Sequence, residues 1–181
     1  MQWRNNAAGW GLIHRLLHWL MAITVVAMMV VGLWMTDLDP SPYTARIYLL
    51  HKSAGLTLLV LVLLRIAWRF YDPPPPVPAT LSARQRSAAR IMHALLYVLL
   101  VALPLSGWVI HSASGFPMRW FGLFPVPGIV PPDGDVQSLA EMVHGALFSL
   151  MALALIGHLL AALKHHFIDR DRVLARMWKG K

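Results

Sequence analysis

Histidine is the residue type most able to do chemistry in this chain. There are nine histidines in 181 residues, and seven lie within or at the ends of long apolar segments. Polar side chains inside a bilayer are costly and usually mark function, and imidazole is both a ligand of haem iron and a carrier of protons. The seven are His14, His18, His51, His93, His111, His144 and His158.

The spacing of His144 and His158 predicts one helix with two ligand positions. The two residues are fourteen apart, which in an α-helix gives a rise of ~21 Å and close to four whole turns. Both rings therefore point from one face, at two depths of the membrane. Such a helix suits two prosthetic groups stacked across a bilayer.

Each of these positions has a histidine at its own depth on another helix. In a bundle whose helices alternate in direction, His18 lies near the start of the first apolar segment and His158 near the end of the last, so the two are at the same depth. His51 lies near the start of the second segment, on the opposite side of the membrane, at the same depth as His144. Two histidines per haem leave the iron no open coordination position, which favours electron transfer over oxygen chemistry.

His93 and His111 compete with these pairs. They are eighteen residues apart and share a helix face after five turns, and each lies near one of the two depths. The spacing alone does not exclude them as ligands. For any single histidine, a hydrogen bond between helices is an equally good explanation.

Three further residues lie on the faces that carry these histidines. Gly55 is one turn beyond His51, and Gly32 reaches the outer depth on roughly the face of His18. Glycine there would let a macrocycle approach the backbone, although glycine also simply eases packing in membrane helices. Arg65 lies fourteen residues after His51, where it could pair with a haem propionate or a quinone carbonyl, or extend to the lipid surface.

The elements that must position these residues are four apolar segments. Apolar residues make up 57% of the chain and charged residues 13%, and about 20 helical residues cross a bilayer core. The spans are predicted at approximately 13–35, 47–68, 91–111 and 140–163. We expect an all-α integral membrane four-helix bundle, forming a single domain over residues 1–181.

Basic residues predict the orientation of the bundle. Thirteen lie at the N-terminus, the second loop and the C-terminus, and the opposite side has only Arg46, Lys52 and Arg119. Under the positive-inside rule both termini are cytoplasmic. The net charge of +8 is thus a topology signal, and it is not arranged as a basic face for nucleic acid. The absence of cysteine excludes disulfides, thiolate-ligated clusters and covalently attached c-type haem.

Several motifs, taken in order, resemble the bacterial cytochrome b561 family. They run from about Gly11 to Met177 and comprise Arg15-Leu-Leu-His18-Trp19, His51-Lys52-Ser53-Ala54-Gly55, His93, Leu103-Pro104-Leu105-Ser106-Gly107-Trp108, Gly115-Phe116-Pro117, Trp120-Phe121-Gly122-Leu123, His144, His158, His165-His166 and Asp171-Arg172-Val173-Leu174-Ala175-Arg176-Met177.

The resemblance implies a four-helix bundle in the bacterial inner membrane with two b haems. Carried over by motif, the ligands are His18 and His158 for the inner haem and His51 and His144 for the outer haem, the set that the depths select. His93 is not expected to bind iron, and His111 has no place in the family pattern. Members exchange electrons with ubiquinone, and the best understood oxidise superoxide at the periplasmic face.

One feature departs from what superoxide oxidation would favour. On the predicted outer side, the acidic residues exceed the basic ones by five to three, a net charge near −2, whereas a positive field steers an anion. The acidic residues are Asp37, Asp39, Asp133, Asp135 and Glu141. Superoxide collection would then depend on Arg46 and Lys52 forming a local basic mouth beside His51.

Two other functions fit the same pattern. The bundle could be a haem-anchoring subunit that links a separate dehydrogenase or hydrogenase to the quinone pool, although the short loops offer little docking surface. It could also be a small transporter that uses histidines for protons. The latter would be colourless when purified.

Overall fold

A computed structural model of the chain describes residues 2–7, 9–77 and 81–180. Four long helices confirm the four predicted spans: α1 (Leu12–Met35), α2 (Pro42–Tyr71), α3 (Ala83–Ala113) and α4 (Gly134–Phe167). Each is long and apolar enough to cross a membrane. All but α1 extend at least two residues beyond both predicted limits, because polar end turns continue the helix past its apolar stretch.

Side-chain caps begin three of these helices. The Ser41 side chain accepts from the Thr44 N–H at the start of α2, and Ser82 forms a reciprocal capping box with Gln85 at the start of α3. Asp133 accepts from two N–H groups in the first turn of α4. These contacts satisfy amide groups that a helix cannot pair internally.

The interior and the exterior of the bundle are both apolar. A central layer buries Met21 of α1, Val62 of α2, Leu99 of α3 and Met151 of α4. The outer faces leave large aliphatic side chains such as Ile23 and Leu153 exposed. A water-soluble bundle would cover such side chains, whereas a bilayer is their natural solvent.

The backbone of α4 packs most closely against α3 and the short C-terminal helix α5 (Val173–Lys179), while α1 packs against α2 and α2 against α3. Helices α1 and α2, which carry His18 and His51, therefore pack more loosely against α4, which carries His144 and His158. That arrangement leaves room between them for a prosthetic group.

The third loop contains structure that the sequence did not predict. The strands β1 (Met118–Trp120) and β2 (Phe124–Val126) pair antiparallel, and positive φ angles at Phe121 and Gly122 make their turn. The Phe121 N–H donates to Ser53 Oγ at 2.9 Å. The loop between α3 and α4 therefore contains a small hairpin docked on α2.

Helix α5 was also not predicted, and it packs at the end of the bundle that carries the first and last described residues, which we call the inner end. The Trp19 indole donates to the Met177 carbonyl at 3.3 Å and meets Trp178 edge to face at 5.0 Å. Arg176 donates to the Pro76 carbonyl at 3.0 Å. These contacts tie the C-terminal segment to α1 and to the segment after α2.

Candidate functional site

A cavity of about 580 Å³ lies at the outer end of the bundle, opposite the termini. His51 of α2 and His144 of α4 both line it, as do Gly32 and Gly55. Most of its wall is aliphatic or sulfur-containing, with side chains such as Val25, Met28, Leu58, Leu103 and Met151. The structure thus brings the predicted outer pair to one apolar chamber.

Ser106 fixes the orientation of His144. Its hydroxyl donates to the Leu103 carbonyl at 2.8 Å and lies 2.8 Å from His144 Nδ1. A hydroxyl has one hydrogen to donate, so Ser106 accepts from Nδ1–H of His144. His144 Nε2 is then left with its lone pair, the state needed to bind a metal.

Small residues back both rings of the outer pair. A Cβ added at Gly32 would lie 3.2 Å from His51 Cε1, and one at Gly107 would lie 3.5 Å from His144 Cε1. His51 Nδ1 is buried without a hydrogen-bond partner in the described part of the chain. The glycines therefore leave space for the two imidazole rings.

At the inner end, three histidines cluster around α4. The rings of His18 and His158 have centroids 6.4 Å apart, and those of His93 and His158 lie 5.6 Å apart. A metal held between two opposed imidazoles by bonds of about 2 Å sets the centroids a little over 6 Å apart. The separation of His18 and His158 fits such a metal, and that of His93 and His158 is shorter.

Arg65 joins this inner cluster from α2. Its Nη2 lies 3.0 Å from His18 Nδ1, and its guanidinium lies 5.7 Å from the centre of the Tyr97 ring. Its Nε is buried with no partner among the described residues. Arg65 therefore lies inside the bundle at the depth of the inner histidines.

The other predicted contacts divide between the cavity and the surface. Lys52 and His111 line the outer cavity, together with Tyr48 and Glu141. Arg46 is exposed on the same helix as Lys52 but is not among the lining residues. Of the two cations of the expected basic mouth, the cavity wall therefore contains Lys52 and not Arg46.

Two features of these sites escaped the sequence. Ser106 appeared only inside a motif, with no sign that it would bond His144. His14 pairs with Asp72 at the inner end, at 3.5 Å between Nδ1 and Oδ2, although 58 residues separate them in the chain. The only available signal was the position of His14, one helical turn before His18.

Comparison with known proteins places these sites in a family. The chain matches the family described as prokaryotic cytochrome b561 over residues 9–180. It is 38% identical to cytochrome b561 homolog 2 of Escherichia coli (strain K12), over 98% of this chain and 95% of that one. It is 35% identical to cytochrome b561 homolog 1 of the same strain, over 89% and 92%.

A third relative carries a more specific name. The probable superoxide oxidase CybB of Yersinia pestis is 30% identical, over 91% of this chain and 93% of that protein. The family match extends over nearly the whole chain. The chain belongs to the prokaryotic cytochrome b561 family, and is thus a multi-pass electron-transfer protein of the bacterial inner membrane for which the family implies haem b.

Proposed function

We propose that this protein carries electrons through two b haems to ubiquinone, with superoxide as the electron donor at the periplasmic face. The observation that carries the proposal is the pairing along α4. His158 lies 6.4 Å from His18 between ring centroids, and His144 shares the outer cavity with His51. When bound, a haem at each depth would supply a one-electron centre with no open iron position.

The outer pair is suited to a haem by its volume and its tautomers. His51 and His144 would hold the iron, with Gly32 leaving space behind His51 and Ser106 holding Nδ1–H of His144. The surrounding apolar wall excludes water, and the polar residues at the cavity edge, Lys52 among them, can meet propionates or an incoming anion.

The contact between Arg65 and His18 would change when a haem binds at the inner pair. A guanidinium only donates, so Arg65 can bond His18 Nδ1 only while that nitrogen is unprotonated. Neutral His18 that binds iron through Nε2 has its hydrogen on Nδ1 and no longer accepts from Arg65. The guanidinium is then available to a haem propionate or a quinone carbonyl.

His93 fits a position beside the quinone. Its ring contacts His158, and the residue is exposed at the surface of the chain. Ubiquinone travels in the lipid and can reach such a side chain without opening the bundle. A neutral imidazole there can donate a hydrogen bond to a quinone oxygen.

The direction of electron flow follows from the proposed topology. The distribution of basic residues supports cytoplasmic termini, and in that orientation the cavity of His51 and His144 lies on the periplasmic side. Each superoxide ion that gives up one electron becomes dioxygen, and two such electrons with two protons convert ubiquinone to ubiquinol. The name of the Yersinia pestis relative, a probable superoxide oxidase, supports superoxide as the donor.

The test is an anaerobic spectrum with haem quantitation, followed by superoxide addition with a ubiquinone analogue. We expect a low-spin spectrum, two haems per chain and formation of quinol. Superoxide dismutase, added as a control, should abolish quinol formation. A colourless protein would overturn the redox function.

A coloured protein that reduces quinone after chemical reduction, but not with superoxide, would instead be a haem-anchoring subunit. In that case a separate dehydrogenase or hydrogenase would supply the electrons. Co-purification of such a protein from native membranes, without overexpression, would identify it.

A further inference from the structure

His14 and Asp72 form a buried pair that electron transfer by the haems does not use. Only 2% of His14 and 4% of Asp72 is exposed. A buried charge is costly unless it is paired and hydrogen-bonded, so both groups at the inner end of an apolar bundle require a reason.

The hydrogen bonds around the pair determine which nitrogen of His14 is free. The Asn5 amide nitrogen lies 2.9 Å from the Pro73 carbonyl, 3.1 Å from the Asp72 carbonyl and 3.2 Å from His14 Nδ1. It has two hydrogens, and the two nearer carbonyls take them. His14 Nδ1 therefore carries its own hydrogen toward the Asp72 carboxylate, 3.5 Å away.

The other nitrogen of His14 points away from that network. His14 Nε2 is buried and has no hydrogen-bond partner in residues 2–7, 9–77 and 81–180. On α1, His14 lies one helical turn before His18 and on nearly the same face. The helical turn that carries this unpartnered nitrogen is therefore next to the turn that carries His18.

Asp72 also connects the pair to the surface. Its Oδ1 lies 3.6 Å from Nε of Arg4, a side chain that is 58% exposed, while Oδ2 accepts from the Asn5 N–H at 2.9 Å. The charged groups that act on His14 are Asp72, Arg65 and Arg69. The carboxylate favours the protonated ring, whereas burial and the two cations favour the neutral one.

We propose that His14 and Asp72 are a proton-delivery pair for quinone reduction, an inference that rests on the proposed function. In each transfer the N–H bond at His14 Nε2 breaks and an O–H bond forms on the quinone oxygen that has received an electron. The neutral ring keeps its hydrogen on Nδ1, held by Asp72. Water from the side of the termini then returns a proton to Nε2, and two transfers complete the quinol.

The experiment compares two electron acceptors on protein whose haems have been chemically reduced without oxygen. A ubiquinone analogue takes electrons and protons, whereas ferricyanide takes electrons alone. We expect His14→Gln to slow reoxidation by the quinone by about a hundredfold or more, the range for loss of a general acid. Ferricyanide reoxidation, the visible spectrum and the haem content should not change. Asp72→Asn should slow the quinone reaction less.

The matched control is His166→Gln, which removes an exposed histidine on α4 and should leave both reactions unaltered. Equal slowing with both acceptors, an altered haem spectrum, or no slowing in His14→Gln would overturn the pair. If His14→Gln does not assemble, Asp72→Asn decides by the same two rates. Wild-type protein that quinone does not reoxidise would overturn the proposed function itself.

Discussion

At the outer end of the bundle, His51 and His144 face a cavity of about 580 Å³, whereas at the inner end the ring of His158 lies within 6.4 Å of His18 and 5.6 Å of His93. The outer pair is backed by glycine and a serine hydroxyl. The inner cluster is bordered by Arg65 and Tyr97. The outer site is thus defined by space and the inner one by charge and ring contacts.

This difference predicts which kind of substitution should damage each site. An added side chain should damage the outer site first, because its two histidines pack against glycines. Loss of a polar group should damage the inner site first, since several polar groups share one small region. The variants below test this contrast.

Removal of a proposed ligand on α4 should have the largest effect. His144→Ala should remove mainly the outer haem and His158→Ala mainly the inner one, because each histidine serves one depth. The haem-to-protein ratio should fall from two to about one in either variant, with different remaining spectra. A ratio that stayed at two would contradict the assignment of that histidine.

His93→Ala should have the next largest effect, confined to the inner site. We expect both haems to remain and quinone reduction to slow by about tenfold, as for loss of one neutral hydrogen bond. Stopped-flow reoxidation by a ubiquinone analogue measures the rate. Loss of the inner haem would instead make His93 a ligand in place of His18.

Neutralising the outer cations should affect superoxide capture more modestly. Lys52→Gln should lower the second-order rate a few-fold and flatten its salt dependence, because steering by charge is screened over ~8 Å at physiological ionic strength. Arg46→Gln should do less, since Arg46 is not part of the cavity wall. Haem content should stay constant. If the double variant kept its rate and salt response, the anchoring-subunit function would become the better proposal.

Two glycine substitutions should give the smallest and most local effects. Gly32→Ala places a Cβ 3.2 Å from His51, which must move by a few tenths of an ångström, whereas Gly157→Ala places one 3.3 Å from the flexible end of Met92. Partial loss of the outer haem is expected only for Gly32→Ala. Equal haem content in the two variants would show that the outer site tolerates added volume.

The sequence predicted the parts of this protein that depend on local pattern. Four apolar runs defined α1 to α4, and the fourteen-residue spacing of His144 and His158 placed both on one helix face. The histidine ligands themselves remain a proposal. Spacing did not separate His93 from His18, because both reach the inner depth, and the structure distinguishes them only through ring separations and exposure.

The remaining features depend on contacts between distant segments. The hairpin docks through Ser53 and Phe121, 68 residues apart, and no periodic pattern in its short strands announces it. The pairing of His14 with Asp72 requires knowing where the N-terminal segment meets the end of α2. Such contacts are set by tertiary packing and leave little trace in composition or periodicity.

The apolar layer of Met21, Val62, Leu99 and Met151 lies between the two histidine sites and is a barrier to protons. It offers no titratable side chain by which a proton could follow an electron across. In the proposed orientation each electron moves inward alone, against an interior-negative membrane voltage that costs up to ~2.3 kcal/mol per charge for every 100 mV. Protons for the quinone come from the cytoplasm, so each turnover adds to that voltage and stores part of the energy of the donor.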